Sequence, residues 1–242
     1  MTTPTAPAPL VVLVHGAWHG AWCWAALQAR LDDAGIASLA IDLPGHGTST
    51  APLGDMYGDA QHVADVIDTV GRPVVLVGHS YGGAVITEAA LRTPHVHHLV
   101  YLTAFALDQD ETIMGAIGSF PVSPTLLGKA MVMRDDGTSV LDHTTAVPAL
   151  YGCCTPAQAA AATQRLSPQP MVTFLQAPNG SPRDSIPSTY VVCSNDEAIA
   201  PAHQEIMATR CTATITLDTD HSPFVSMPAD VARILADVVA GA

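Results

Sequence analysis

Six short apolar runs, rich in Val, Ile and Leu, recur along the chain. They lie at Leu10–Val14, Ser38–Ile41, Pro73–Val77, His98–Leu102, Thr189–Cys193 and Ala213–Leu217. Segments of helical length lie between or after them, at Ala21–Asp33, Asp59–Val70, Gly82–Arg92, Pro201–Arg210 and Pro228–Val239. Continuous apolar runs are typical of strands buried on both faces of a parallel sheet. Because strands and helices alternate, the pattern predicts an α/β chain with a doubly wound, mostly parallel sheet.

One long stretch, residues 107–187, interrupts this alternation, because it contains no clear strand and is rich in Pro, Gly, Ser and Met. A plain loop of that length would be unusual inside a compact domain, so we expect a separate, mainly helical cap. Its best helix is predicted at Ala157–Leu166, after a Thr-Pro pair suited to a helix start. We expect a core of residues 1–106 and 188–242, with the cap inserted after the sixth predicted strand position of the core.

The composition fits one well-folded domain. Of the 242 residues, 48% are hydrophobic and 13% are charged, so the chain can bury a sizeable core. Lys and Arg number 9 against 22 Asp and Glu, which gives a formal net charge of −13 at pH 7. This sign disfavours a nucleic-acid partner, because the phosphate backbone attracts positive side chains.

The sequence also bears on location and partners. Residues 1–10 lack the basic and apolar segments of a signal peptide, and no apolar run is long enough to span a membrane. We expect a soluble, cytoplasmic protein without a membrane partner, with a mobile Pro-, Ala- and Thr-rich tail over residues 2–9. The five cysteines form no C-x-x-C pair, so we expect free thiols. A homodimer is left open.

The segment Gly78-His79-Ser80-Tyr81-Gly82 carries the most specific chemical signal. It satisfies the G-x-S-x-G pattern between an apolar strand and an apolar helix, which is the context of a nucleophile elbow. In such a turn the serine takes a strained backbone conformation that exposes its hydroxyl above the sheet. A chance Gly-rich turn is the alternative, but the flanking strand and helix favour a nucleophilic Ser80.

A serine nucleophile needs a base to remove its proton and an acid to orient that base. Two polar clusters follow the last two predicted strands, at the sheet edge where α/β proteins assemble their sites. In the first cluster Asp196 is our candidate acid, and Glu197 is its nearest rival. In the second cluster His221 is our candidate base, and Asp218 and Asp220 are its acidic neighbours.

The chain contains eleven histidines, so position decides which of them is the base. His203 lies within a predicted helix and His143 lies in the cap, whereas the candidate base follows the last strand. The cluster of His95, His97 and His98 has no suitably spaced carboxylate or cysteine partner, so we predict no metal site there.

The turn after the first strand, residues 15–20, is a candidate for stabilising an oxyanion. It contains two glycines and opens a helix, so the Ala17 amide can face a cavity opposite the Tyr81 amide. Gly16 then borders the substrate pocket. A turn that needs its glycines for steric reasons alone is the alternative, but the nearby elbow favours the functional interpretation.

These segments resemble the α/β-hydrolase family, and more narrowly its branch of plant hydroxynitrile lyases, methyl-ester esterases and related bacterial esterases. The matching stretches are residues 15–24, 78–83, 193–199 and 220–224. They are spread over nearly the whole chain apart from the cap. The resemblance implies that Ser80 is the nucleophile, His221 the base and Asp196 the acid. It also implies an oxyanion hole formed by the amides of Ala17 and Tyr81, and no cofactor or metal.

Two positions separate the lyases from the esterases of this branch. The lyases resemble one another in having threonine where this chain has Gly16 and lysine where it has Ser222, and the only lysine here is Lys129 in the cap. The family's esterases often have methionine at the second position, so Ser222 departs from both patterns. The resemblance therefore favours a serine hydrolase that cleaves small to medium carboxylic esters through an acyl-enzyme. A non-catalytic small-molecule receptor and, with less support, a lyase remain as alternatives.

Several large apolar residues of the cap fit either an apolar, adaptable pocket or ordinary packing on the sheet. They are Met114, Leu126, Leu127, Met131, Met133 and Met171.

Overall fold

A computed structural model describes residues 8–241, so the tail predicted over residues 2–9 lies almost entirely outside the described residues. A six-stranded parallel sheet forms the centre of the molecule. Its strands are β1 (Leu10–Val14), β2 (Ser38–Ile41), β3 (Val74–Ser80), β4 (Val96–Ala104), β8 (Ser188–Cys193) and β9 (Ala213–Leu217). They are ordered β2-β1-β3-β4-β8-β9 across the sheet. The predicted doubly wound parallel sheet is confirmed.

All six predicted strands are present, and three of them are longer than predicted, β8 by the single residue Ser188. β3 continues to Ser80 and β4 begins at Val96. The chain goes from β1 to β2 on one side and then to β3 on the other side of β1. Such a reversal gathers binding sites at the carboxyl ends of the strands. The turns that follow β1, β3, β8 and β9 all leave from this edge.

Each face of the sheet has its own buried core. In β1, Val12 and Val14 pack in one cluster, whereas Val11 and Leu13 pack in the other. The first face is covered by α2 (Met56–Val70), α3 (Gly82–Ala89) and α8 (Pro201–Ala208). The second face is covered by α1 (Ala25–Asp33), α9 (Pro223–Ser226) and α10 (Pro228–Gly241). Burial of alternate β1 side chains on both faces explains why this strand is a continuous apolar run.

Helix starts differ from the prediction for local reasons. α1 begins four residues later than predicted, because Ala21–Trp24 forms a separate 3-10 turn. α2 begins three residues earlier, because the Asp55 side chain accepts a hydrogen bond from the Gly58 amide and caps the helix. Among the described helices, none combines the length and the apolar character that a membrane crossing requires.

The segment between β4 and β8, where we expected a mainly helical cap, contains four α-helices. Its helices are α4 (Ile113–Ser119), α5 (Leu127–Ala130), α6 (His143–Leu150) and α7 (Pro156–Thr163). The predicted start of α7 is confirmed, since Thr155 and Gln158 form a capping box. The helix ends at Thr163, three residues earlier than predicted. The boundaries at residues 107 and 187 remain our interpretation.

Two expectations about the cap are wrong. It contains a three-stranded antiparallel sheet of β5 (Met131–Met133), β6 (Thr138–Leu141) and β7 (Gln169–Pro170), although no strand was predicted there. These strands have only two to four residues and no long apolar run, so their pattern is too weak to detect. The cap also follows the fourth strand of the chain and not a sixth strand position, because β8 and β9 come after it.

Candidate active site

A sharp turn joins β3 to α3 at Ser80. Ser80 has a φ of 53°, in the left-handed region that a serine occupies only under constraint from its surroundings. Gly82 packs against β1 so closely that a Cβ would lie 2.7 Å from the Val14 carbonyl oxygen. Ser80 is 7% exposed and lines a cavity beneath the cap. The strand, turn and helix context predicted for the elbow is therefore present.

Asp196 and His221 are joined by a direct hydrogen bond. His221 Nδ1 donates to Asp196 Oδ2 at 2.7 Å, and both residues are buried. The Asp196 carboxylate also accepts hydrogen bonds from the amides of Ala198 and Ile199, and from the side chains of Thr103 and Gln204. The donors lie on three segments: strand β4, the loop after β8, and helix α8. So many donors compensate for burying the carboxylate and hold it in one orientation.

The other acidic candidates, Glu197, Asp218 and Asp220, do not contact His221 through their carboxylates. Glu197 and Asp218 are exposed, and Asp218 accepts hydrogen bonds from Ser194 and Asn195. Asp220 is buried, but its carboxylate accepts hydrogen bonds from the Cys153 and Ser222 amides and the Ser226 hydroxyl. The three rivals therefore lack the contact with the His221 ring that Asp196 makes.

His79 connects His221, the candidate base, to the elbow. Sequence reasoning missed this contact. Its Nε2 donates a hydrogen bond to the His221 carbonyl oxygen at 2.8 Å, and the two ring centroids are 4.6 Å apart. Burial, and then the proximity of His221, hold the pKa of His79 well below its usual value, so the ring is neutral. Because His79 directly precedes Ser80, this contact places His221 beside the nucleophile turn.

The two amides expected to bind an oxyanion flank the same region. Ala17 and Ser80 line one cavity. Within residues 8–241, neither the Ala17 amide nor the Tyr81 amide donates to a protein acceptor. Gly16 packs directly on the elbow, since a Cβ there would lie 2.8 Å from both Ser80 Cβ and His79 Nδ1. Of these residues Ala17 lines the cavity, whereas Tyr81 and Gly16, which was expected to border the substrate pocket, do not line it.

The turn after β1 is held by the cap through Trp18. Trp18 has a φ of 63°, which is unusual for a bulky side chain. Its indole N–H donates to Ser139 Oγ at 3.1 Å, and its amide donates to Gln169 Oε1 at 3.4 Å. Its carbonyl accepts from the Ser167 amide at 2.8 Å. Three polar groups of one residue are thus fixed by the cap.

A buried pair anchors the other side of the elbow. The Tyr81 hydroxyl donates to Asp59 Oδ2 at 2.6 Å, and both residues are buried. Burial raises the pKa of Asp59 to about 7, although the hydrogen bond from Tyr81 opposes this rise. The second carboxyl oxygen, Oδ1, is sealed from solvent without a partner among the described residues. Neither residue's side chain was predicted to interact.

The cavity above Ser80 is apolar and has a volume of about 80 Å³. None of its lining residues, all within the described chain, has a charged side chain. Of the six large apolar cap residues noted from the sequence, four line this cavity: Met114, Leu127, Met131 and Met171. Leu126 and Met133 do not line it. We call this space the substrate cavity.

The described residues contain no group of three or more His, Cys, Asp or Glu side chains placed to hold a metal ion. All five cysteines, which lie within the described residues, are free thiols, as expected.

Known proteins resemble this chain over most of its length. The sequence matches the Alpha/beta hydrolase family over residues 11–234. The pFDCC methylesterase MES16 of Arabidopsis thaliana is 28% identical over 238 residues, covering 90% of this chain and 89% of that protein. A carbendazim hydrolyzing esterase of Nocardioides sp. is 40% identical over 111 residues, covering 44% of this chain and 46% of that protein.

Solved structures agree with these relatives. The pyrethroid hydrolase of Sphingobium faniae has a TM-score of 0.83 and 25% identity, covering 97% of this chain and 98% of that one. The predicted fold and the esterase side of the predicted resemblance are confirmed. The match extends from β1 to α10, and the chain belongs to the alpha/beta hydrolase family.

Proposed function

We propose that the protein is a serine hydrolase that cleaves small to medium carboxylic esters through an acyl-enzyme. The observation that carries this proposal is the hydrogen bond from His221 Nδ1 to Asp196 Oδ2, formed beside an elbow that holds Ser80 in a left-handed conformation. A proton on Nδ1 leaves Nε2 of the neutral ring free to act as a base. Carboxylic-ester hydrolysis also agrees with the activities named for the esterase relatives.

In the first half of the proposed reaction, His221 Nε2 takes the Ser80 hydroxyl proton while Oγ attacks the ester carbonyl carbon. The carbonyl oxygen becomes an oxyanion and accepts hydrogen bonds from the Ala17 and Tyr81 amides. The C–O bond to the alcohol then breaks, and His221 gives its proton to the departing oxygen. The products of this half are an alcohol and an ester of Ser80.

In the second half, water replaces the alcohol. His221 takes a proton from water, and the resulting hydroxide attacks the acyl carbonyl carbon. The bond to Ser80 Oγ breaks, His221 returns the proton to Ser80, and the carboxylic acid leaves. Asp196 accepts the hydrogen bond from Nδ1 throughout and stabilises the imidazolium that forms in each half.

The substrate cavity favours an uncharged, apolar group on the ester. Its walls include Trp18, Phe105 and Phe174 and carry no charge, so a charged group would lose its hydration without a partner. The net charge of −13 also disfavours polyanionic substrates.

The receptor and lyase alternatives are less well supported. A vestigial site would have no need for the complete set of donors around Asp196. A lyase-like threonine at position 16 would contact Ser80 and His79 at distances that require a shift of the elbow. We further propose that the protein works in the cytoplasm, where its five free thiols would stay reduced. Ester hydrolysis requires no partner other than the small-molecule ester. Whether the protein forms a homodimer is left open.

The test is hydrolysis of p-nitrophenyl butyrate by the purified protein and by two serine variants. Ser80→Ala should lower kcat by about 10³- to 10⁶-fold. Ser185→Ala is the matched control, because Ser185 is an exposed serine that donates only to the Pro182 carbonyl. Equal rates for wild type and Ser80→Ala would overturn the proposal. If the wild type hydrolyses none of a series of short-chain esters, the result would favour the alternative of a non-catalytic small-molecule receptor.

A further inference from the structure

A second, smaller cavity lies against the substrate cavity. It has a volume of about 60 Å³. The two cavities share four lining residues: Phe105, Ile117, Ala198 and Ile199. The substrate cavity contains the hydroxyl-bearing Ser80, whereas the second cavity is lined by three polar residues, Ser123, Thr125 and His203. We call it the polar chamber.

His203, which lines this chamber, has an unused hydrogen-bond acceptor. Its Nε2 is 2.8 Å from the Pro121 carbonyl oxygen, and a carbonyl only accepts, so Nε2 carries the proton. Nδ1 of the neutral ring is then an acceptor, and no donor within residues 8–241 reaches it. His203 is 6% exposed, yet Nδ1 is not among the sealed unpartnered atoms. His203 is one of the residues that line the polar chamber.

The chamber is rigidly tied to the catalytic acid. Gln204, the next residue on α8, donates to Asp196 Oδ2 at 2.9 Å. The amides of Ala198 and Ile199, which form part of the shared wall, donate to Asp196 Oδ1 at 2.6 and 2.9 Å. The same carboxylate that orients His221 therefore also fixes one wall of the chamber and the helix that carries His203.

We propose that the polar chamber is a specificity subsite for a hydroxyl group carried by the apolar part of the ester, a phenol being the best fit. This inference rests on the proposed function. A phenolic hydroxyl would donate to His203 Nδ1, while Ser123 and Thr125 can donate to its oxygen. A plain hydrocarbon would displace water from these groups without replacing its hydrogen bonds, which costs binding.

The experiment compares matched esters that differ by one hydroxyl group. The probes are methyl 3-phenylpropanoate and its 3-hydroxyphenyl and 4-hydroxyphenyl analogues, with acid release followed by pH-stat titration. In wild type, kcat/KM should be about 3- to 10-fold higher for at least one phenol than for the parent ester, the value of one net hydrogen bond. His203→Phe keeps a ring beside Phe120 but removes the acceptor, so this ratio should fall to about one.

His143→Phe is the matched control, since His143 is an exposed histidine of the cap, and it should keep the wild-type ratio. If melting curves show that His203→Phe does not fold, a Ser123→Ala, Thr125→Val double variant replaces it with the same criterion. Binding of the intact probes to Ser80→Ala, measured by calorimetry, should show the same preference without turnover.

The outcomes separate the two proposals. Equal values for the parent ester and both phenols in wild type, or an unchanged ratio in the chamber variant, overturn the subsite and leave ester hydrolysis intact. If wild type hydrolyses none of the probes, equal dissociation constants with Ser80→Ala overturn the subsite. If wild type hydrolyses no ester at all, but Ser80→Ala binds a phenol more tightly than the parent ester, the proposed function is overturned and the subsite is supported.

Discussion

The indole N–H of Trp18 donates a hydrogen bond to Ser139 Oγ at 3.1 Å, and this contact joins the turn after β1 to the cap strand β6. Trp18 follows Ala17, whose amide is a proposed oxyanion donor. A left-handed φ costs a bulky residue on the order of 1 to 3 kcal/mol and persists only where its surroundings hold it. The cap supplies that constraint, so it holds the turn that carries the proposed oxyanion donor and also lines the substrate cavity.

Ser139→Ala should therefore lower kcat by about 3- to 10-fold and change KM less, because one of the bonds that position the Ala17 amide is lost. Steady-state hydrolysis of p-nitrophenyl butyrate gives both constants. Inhibition by a boronic acid that mimics the tetrahedral intermediate should weaken by a similar factor. Ser119→Ala is the control, since Ser119 donates only to the Ala116 carbonyl within the cap. A rise in KM with unchanged kcat would show that Ser139 shapes only the cavity.

Asp196→Asn should lower kcat by about 10³- to 10⁴-fold, because an asparagine amide cannot hold the proton on His221 Nδ1 in the required tautomer. Ester hydrolysis by the two purified proteins provides the measurement. Glu197→Gln should change the rate little, because Glu197 is exposed and its backbone, not its carboxylate, binds the cap amides of Leu126 and Leu127. The reverse ordering would move the role of acid to Glu197.

Much of this site could be predicted from the sequence because its key residues lie at, or a few residues after, the ends of parallel strands. Ser80 ends β3, Asp196 follows β8 and His221 follows β9, so the parallel sheet alone brings them to one edge. The four inner strands β1, β3, β4 and β8 were detectable because they are largely buried, and burial on both faces leaves apolar runs. The edge strands β2 and β9 are partly exposed, and their runs are shorter or contain more polar residues.

The residues that support the site could not be found in this way. Thr103 and Gln204 are separated from Asp196 by 93 and 8 positions, and nothing in their local pattern marks them as its partners. His79 looked like a variable position within G-x-S-x-G, and only the packed structure shows its bond to the His221 carbonyl. Tertiary contacts between short, unpatterned segments also explain why the cap sheet was missed.

The buried carboxyl of Asp59 should make stability depend on pH. Its pKa is raised from the ordinary 3.8 to about 7 by burial, so the folded protein keeps a proton that the unfolded chain releases above pH 4. The free energy of unfolding should therefore fall as pH rises from about 4 to 7, by up to about 4 kcal/mol from this group, and stay level above pH 7.

Asp59→Asn removes this titration and keeps an acceptor for the Tyr81 hydroxyl. The readout is the difference in unfolding free energy between wild type and Asp59→Asn, from urea denaturation at several pH values. A difference is needed because His15 and His46 act in the opposite direction: burial lowers the pKa of His15 to about 3 and of His46 to about 4, which reduces stability as the pH falls. A difference that is constant between pH 4 and 8 would contradict the prediction.

Wild-type protein should hydrolyse small aryl and alkyl esters faster than it cleaves mandelonitrile, because Gly16 offers no hydroxyl and Ser222 no positive charge to a departing cyanide. Parallel assays of benzaldehyde and p-nitrophenol release test this directly. Ser222 is fully buried and its Oγ has no partner within the described chain, so a lysine at that position would have to bury its charge or displace its neighbours. Faster mandelonitrile cleavage would make lyase activity the function.

Gly16→Thr isolates the steric half of this argument. The new Cβ would start 2.8 Å from Ser80 Cβ and from His79 Nδ1, so the turn carrying the Ala17 amide must move away from the elbow. Loss of one oxyanion donor costs about 10²- to 10³-fold in kcat, and ester hydrolysis should fall by a similar factor. Gly118→Thr is the control, because nothing lies within 4 Å of a Cβ at that cap position. Full activity in both Gly16→Thr and Gly118→Thr would show that the oxyanion does not depend on the Ala17 amide. The Tyr81 amide would then be the remaining proposed donor.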